Sequence, residues 1–172
     1  YIKYLHSIDD QVFYDSYPGY KRKPYLGIIV NLNDYEYCIP LTSAKVRQLG
    51  WANISEHNYI IYENVDLSVI KPDDVYMQIG SSSVCKKLLS VKEIRKMIPV
   101  DASLYTFIDF SQEADIAYKA LLEKEYRFLL PFKEDILKKA NVLHGKQKTS
   151  GVIKTCYCTF SKLEQAYEKY KV

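Results

Sequence analysis

Helical periodicity is confined to the last third of this chain, and the residues before it read as short strands. After Ser111, the residues Ala114, Ala117, Tyr118, Leu121, Leu122, Tyr126 and Leu129 recur at the three- and four-residue spacing of an apolar helical stripe. Pro131 interrupts it, because proline lacks an N–H and crowds the preceding turn. Phe132, Ile136, Leu137, Ala140 and Leu143 carry a similar stripe on to Gly145. Lys146 to Lys154 then reads as a basic loop, and Ser161-Lys162-Leu163-Glu164 as a capping box that opens a C-terminal helix.

Upstream, Tyr25 to Leu32 is apolar and β-branched, Asn33-Asp34 is a two-residue turn signal, and Tyr35 to Leu41 is the return strand of a hairpin. Asn58 to Tyr62 is a further strand, with Leu67 to Ile70, Val75 to Ile79 and Val84 to Leu89 as weaker strand or loop candidates. Ser90-Val91-Lys92-Glu93 has the capping-box pattern and predicts a short helix to about Met97. Leu104 to Phe110 is expected to be a strand, and Tyr1 to Phe13 to contain a short helix. Strands first and helices afterwards argue for an α+β fold with an antiparallel sheet rather than a βαβ repeat. At 172 residues the chain fits one domain, residues 1–172, large enough to fold without staples.

Hydrophobic residues make up 48% and charged residues 26%, which excludes a disordered chain. The longest apolar stretch, Tyr25 to Val30, is far short of the roughly 18 residues a membrane span needs. No signal-peptide pattern is visible, so a cytoplasmic protein is expected. The sequence opens at Tyr1 rather than Met, as expected where a few native residues are missing upstream. Of the four cysteines only Cys156 and Cys158 are close, as C-x-C with no histidine nearby. That is not a zinc spacing, and free thiols in a reducing compartment are expected.

The net charge of +3 is unevenly spread. Residues 133–172 hold nine lysines against four acids, and from Ile136 to Leu163 there are six lysines and no acid. A cationic segment without counter-charges suits a polyanion, although a solvated helix face has the same composition. Upstream, Tyr20-Lys21-Arg22-Lys23-Pro24 is a basic-aromatic run in a loop. The 17 tyrosines can stack on unpaired bases, or fill strands and core.

Chemistry is concentrated at Pro40-Leu41-Thr42-Ser43-Ala44-Lys45, where a strand end feeds two hydroxyls and a lysine into a helical turn over Ala44 to Leu49. Free N–H groups at a helix start favour an anion such as phosphate. On residues alone a plainer reading stays open, in which Ser43 caps the helix, Gly50 closes it and Lys45 is solvated. No P-loop, dinucleotide glycine motif, H-E-x-x-H or G-x-S-x-G is present. His6, His57 and His144 are scattered and give no support to a two-histidine nuclease.

These segments together resemble the ToxN/AbiQ family, the endoribonuclease toxins of type III toxin–antitoxin systems. The resemblance is carried by Tyr1-Ile2-Lys3-Tyr4-Leu5 with Asp9-Asp10, by Leu26-Gly27-Ile28-Ile29-Val30, and by Ile39-Pro40-Leu41-Thr42-Ser43-Ala44-Lys45. Met97-Ile98-Pro99-Val100 and Cys158-Thr159-Phe160-Ser161 with Leu163-Glu164 and Tyr167 complete it; Trp51 to Val91 matches poorly. The resemblance implies a strongly bent antiparallel sheet, as in the Kid/MazF toxins with their SH3-like barrel core, flanked by helices. It also implies metal- and cofactor-independent, sequence-specific RNA cleavage that leaves a 2′,3′-cyclic phosphate and aborts phage infection. The implied partner is a repetitive RNA antitoxin, folded as pseudoknots, which the toxin cuts from its own precursor. The family's functional residues map onto Thr42, Ser43, Lys45 and Tyr1, and onto Lys23 before the first strand.

Thr42, Ser43 and Lys45 are therefore the expected catalytic residues. Tyr1, Tyr20, Lys21, Arg22, Lys23, Arg47, Lys146 and Lys148 are the expected RNA contacts. The two hydroxyls would hold the phosphate while Lys45 supplies charge or a proton; as a base, a lysine would need a pKa far below its usual value of about 10.4. The rival expectations are a non-catalytic RNA-binding module and a protein-interaction subunit.

Overall fold

The computed structural model describes residues 1–14 and 25–171. Helix α1 (Ile2–Ile8) precedes strands β1 (Gly27–Leu32), β2 (Tyr35–Ser43), β3 (Asn58–Asp66), β4 (Val75–Gln78), β5 (Val84–Glu93) and β6 (Ile98–Val100). Helices α2 (Ile116–Leu129), α3 (Lys133–Ser150) and α4 (Phe160–Tyr170) follow. The strands-then-helices order matches the sequence expectation.

All pairings are antiparallel, and β2 organises them. The β1–β2 hairpin turns at Asn33, whose φ of 55° is a left-handed value that asparagine tolerates. Along its other side β2 changes partner: Glu36–Cys38 pair with β6, and Leu41–Ser43 pair with β5. Pro40 lies at the switch, where it can donate no ladder bond. β5 also divides its pairing, with β3 along its whole length on one side and with β4 and then β2 on the other. The shared strands curl the sheet into a strongly bent half-barrel flanked by helices.

The core fills the concave face. Tyr37, Ile39, Tyr59, Ile61, Ile94, Met97 and Ile98 meet Leu5 of α1, Ile136 and Ala140 of α3, and Phe160, Leu163 and Ala166 of α4. Each such large side chain, fully buried, contributes roughly 1.5–3 kcal/mol. Three polar links tie the helices to one another and to this face. Glu164 Oε1 accepts from the Tyr37 hydroxyl at 2.7 Å and lies 2.7 Å from His144 Nε2. The Thr159 N–H donates to Asp9 Oδ2 at 2.7 Å, tying the end of α1 to the start of α4.

Three local expectations are corrected, and Leu67 to Ile70, left open between strand and loop, is resolved. Ser90–Glu93 is not a helix start but the end of β5, because its backbone bonds go to β2 and β3; only the single turn Ile94–Lys96 follows. Leu67–Val69 is a 3-10 turn capped by Asp66, not a strand. Leu104 to Phe110 is irregular, with Phe107 83% exposed, since no strand partner is on hand. Lys146–Ser150 forms the last turns of α3, which ends at Gly151 with a φ of 65° rather than at Gly145. Pro131 does restart the helix, within the 3-10 turn Leu130–Phe132. No helix among the described residues is long and apolar enough to cross a membrane.

Candidate active site

The end of β2 opens into a cleft of about 760 Å³. Thr42, Ser43, Lys45 and Arg47 line it, together with Tyr1 and Tyr25, Leu89 and Ser90 of β5, and Tyr118 and Glu125 of α2. The fold thus brings the three expected catalytic residues together with Tyr1 and Arg47.

Ser43 is the last residue of β2 and pairs with Ser90; its side chain is exposed and makes no hydrogen bond among the described residues. Thr42 is half-buried, and its hydroxyl leans toward the Val91 carbonyl at 3.4 Å. Successive strand residues point to opposite faces, which gives the two hydroxyls these different surroundings.

Ser43 does not cap a helix. The turn that follows is the single 3-10 turn Val46–Gln48, and Lys45, in extended conformation with φ −136° and ψ 149°, occupies its cap position. Gln48, 2% exposed, fixes that cap: its Oε1 accepts from the Lys45 N–H at 2.6 Å, and its own N–H donates to the Lys45 carbonyl at 2.9 Å. One 3-10 turn carries little dipole, so attraction for an anion rests on the Lys45 and Arg47 side chains, both exposed. Gln48 was missed in the sequence because an isolated glutamine carries no signal.

Tyr1 serves the cleft as wall. Its hydroxyl donates to the Pro99 carbonyl at 2.6 Å, and its ring packs against Tyr167 and Tyr170. Burial above all, then Tyr167 and Asp101, holds its pKa far above the usual phenol value, so it stays neutral.

Two buried acids also line the cleft. Glu93 is 2% exposed and paired with Arg95, whose Nε donates to its Oε2 at 2.9 Å. Glu125 is 6% exposed and has no ion pair among the described residues. Burial raises its pKa, and the nearby Ser90 hydroxyl opposes that rise.

Lys146 and Lys148 do not line this cleft. Lys146 lines a second cavity of about 580 Å³ with Lys138, Lys139 and Lys154, where Lys139 pairs with Asp135 at 2.8 Å. Lys148 Nζ lies 3.6 Å from Glu164 Oε2 and 5.8 Å above the Tyr35 ring. Tyr20, Lys21, Arg22 and Lys23 lie outside the described residues.

No histidine lines the cleft among the described residues. His6 Nδ1 is 2.8 Å from the Val12 carbonyl, and His144 is buried against Glu164. His57 faces the second cavity, its pKa lowered first by burial and then by Arg95 and Lys154. The four cysteines are free, and no described cluster of three or more His, Cys, Asp or Glu could hold a metal ion.

Comparison with known proteins adds the family context. The family model described as toxin ToxN of a type III toxin–antitoxin system matches residues 1–168. The chain is 27% identical to the endoribonuclease ToxN of Pectobacterium atrosepticum over 176 residues, covering 99% of this chain and 88% of that protein. It is also 27% identical to the endoribonuclease ToxN of Bacillus thuringiensis subsp. kurstaki over 180 residues, covering 99% and 80%. A solved structure reported as "A processed non-coding RNA regulates a bacterial antiviral system" has the same fold, with a TM-score of 0.72 at 24% identity over 98% of this chain and 92% of that one. The lactococcal anti-phage endoribonuclease AbiQ shares the fold with a TM-score of 0.63 at 19% identity, covering 99% and 93%.

Proposed function

The chain belongs to the ToxN family of type III toxin–antitoxin toxins, and we propose that it is an endoribonuclease that cuts RNA in the cleft at the end of β2, without a metal ion, leaving a 2′,3′-cyclic phosphate. The observation that supports this site most directly is the free, exposed Ser43 hydroxyl beside two exposed cations, Lys45 and Arg47, in one cleft.

Cleavage to a cyclic phosphate forms a bond from the RNA 2′-oxygen to phosphorus and breaks the bond to the 5′-oxygen. The 2′-hydroxyl loses its proton to solvent, and the 5′-oxygen must gain one. The enzyme's task is to align the two oxygens and to meet charge on the phosphoryl group. Ser43 donates its O–H to a non-bridging oxygen. Lys45, its backbone fixed by Gln48, places an ammonium where it offsets phosphoryl charge or protonates the leaving oxygen. Thr42, leaning on the Val91 carbonyl, steadies the strand end. Arg47 holds the RNA backbone, with the basic run at residues 20–23 and Lys146 as further contacts.

Residues 1–172 act as one catalytic unit in the cytoplasm. Its RNAs include the repetitive antitoxin precursor, whose folded pseudoknot product then inhibits the toxin, and cleavage by the uninhibited toxin aborts phage infection.

The test is RNA cleavage by Ser43→Ala and Lys45→Ala in the presence of a chelator. Each is expected to lose roughly a hundred- to a thousandfold in rate, the usual cost of removing a charge-stabilising donor. RNA with a 2′-deoxy sugar at the cut should survive. Wild-type rates in both variants would overturn the site, and binding by wild type without cutting would leave an RNA-binding module.

A further inference from the structure

We propose that Glu125 of α2 reads the base next to the cut, by accepting a hydrogen bond from that base's exocyclic amino group. This rests on the reading of Ser43 and Lys45 as the phosphate site.

Three observations carry it. First, α2 faces the cleft with Tyr118, Leu121 and Glu125, at spacings of three and four residues that share one helix face. Leu122 and Leu129, three and four residues from Glu125, are buried, so Glu125 sits where the interior face of the helix meets the cleft. Second, β5 carries a bulge at this point. Ser90 pairs with Ile61 and Leu88 with Tyr62, leaving Leu89 as an extra residue. The extra residue bends β5 where Leu89 and Ser90 line the cleft. Third, the Ser90 hydroxyl is 97% buried by its 3% exposure and makes no hydrogen bond of normal geometry among the described residues, although it lines the cleft and lies near Glu125. A buried hydroxyl and a buried carboxyl that no bond of normal geometry joins are costly to keep dry, and a ligand that enters the cleft can satisfy both.

The position suits a base. Ser43 and Ser90 are directly paired, and neighbouring strands lie about 4.7–4.9 Å apart. Ser90 thus stands one strand beyond the phosphate site, and Glu125 lies beside Ser90 in the cleft wall. An anionic or neutral carboxyl repels or ignores a phosphate, but in either protonation state it keeps an oxygen that accepts from an amino group. Adenine, cytosine and guanine carry such a group and uracil does not. The Ser90 hydroxyl supplies a second contact to the same base.

The experiment maps the RNA ends that wild type, Glu125→Gln, Glu125→Met, Glu125→Ala and Ser43→Ala produce from a random-sequence RNA pool. At one position flanking the cut, wild type should disfavour uracil by roughly tenfold or more, the usual value of one good base contact. Glu125→Met, which keeps the volume, and Glu125→Ala should lose that preference, while Glu125→Gln, which keeps an acceptor, should retain most of it. An RNA whose base there lacks only its amino group should be cut roughly tenfold more slowly by wild type and at the parent rate by Glu125→Met. An equal loss on all sequences, or an unchanged amino-group penalty in Glu125→Met or Glu125→Ala, overturns the proposal. Wild-type cutting by Ser43→Ala would instead overturn the phosphate site, a separate result.

Discussion

Gln48 holds Lys45 from both sides of one turn: its side-chain oxygen takes the Lys45 N–H at 2.6 Å, and its backbone N–H meets the Lys45 carbonyl at 2.9 Å. Gln48 does not itself offer a charge to RNA; it sets where the lysine starts. Gln48→Ala should lower kcat by roughly tenfold or more with little change in KM, since small misplacements of a catalytic group are expensive. The lost hydrogen bond should cost only about 1 kcal/mol of stability. Gln48→Glu keeps an acceptor and should recover most of the rate. Steady-state kinetics with a melting curve for each variant checks this, and an unchanged kcat in Gln48→Ala would remove Gln48 from the site.

Gly27 opens β1 against Pro40, next to the strand that carries the site. A methyl group there would collide with Cys38 Sγ and stand 2.7 Å from the Ile39 carbonyl oxygen. The thiol can rotate, but the carbonyl belongs to the β2 ladder and cannot. Gly27→Ala should destabilise the protein by roughly 1–3 kcal/mol, the usual cost of overpacking. Gly27→Ala combined with Cys38→Ala should recover only part of it. Denaturant titration measures both, and full recovery in the double variant would show that the backbone contact yields easily.

Much of this architecture was legible because it was written in long patterns. The α2 stripe and the β1–β2 hairpin each span enough residues for their period to decide the element. The failures were short motifs overruled from a distance. Ser90–Glu93 has a capping-box sequence, yet β2 and β3 claim its backbone on both sides. Leu104 to Phe110 has strand composition and no strand to pair with. At the site, Thr42, Ser43 and Lys45 stood adjacent in sequence and stayed adjacent in space. Glu125 lies 82 residues from Ser43 and reaches the same cleft only through the packing of α2 on β5, which no local pattern encodes. Lys146 and Lys148 looked equivalent as basic residues, but two positions on a helix turn them to different neighbours, a lysine-rich cavity and Glu164.

That difference can be measured as salt dependence. Arg47 lines the cleft free of any ion pair among the described residues, whereas Lys148 is already close to Glu164. Arg47→Gln should weaken binding of a non-cleavable RNA and reduce the slope of log affinity against log salt by about 0.7–0.9, one phosphate contact. Lys148→Gln should leave the slope nearly unchanged. Equal changes in both variants would mean that the RNA path extends over the Tyr35 face as well.

Lys92 presents the last prediction. It is fully buried in β5, and no hydrogen-bond partner reaches its Nζ among the described residues. Burial pushes its pKa well below the usual lysine value, with nearby Cys38 pulling slightly the other way. Burial likewise pushes the Cys38 thiol up to about 11. Between that lowered pKa and about 10.4, where the unfolded chain's lysine titrates, the folded chain holds Lys92 with fewer protons than the unfolded chain. Stability contributed by this group rises with pH wherever the unfolded state binds more protons, and the rise ends at the unfolded pKa. Lys92→Met removes the penalty and keeps the volume, so it should stabilise the protein by roughly 1–4 kcal/mol at pH 7. Its advantage over wild type should shrink steadily as pH approaches about 10.4. Cys38 titrates in the opposite sense in both proteins and cancels in the difference to first order. Paired unfolding curves from pH 7 to 10 test this, and an advantage that stays constant across that range would mean Lys92 keeps its proton in the fold.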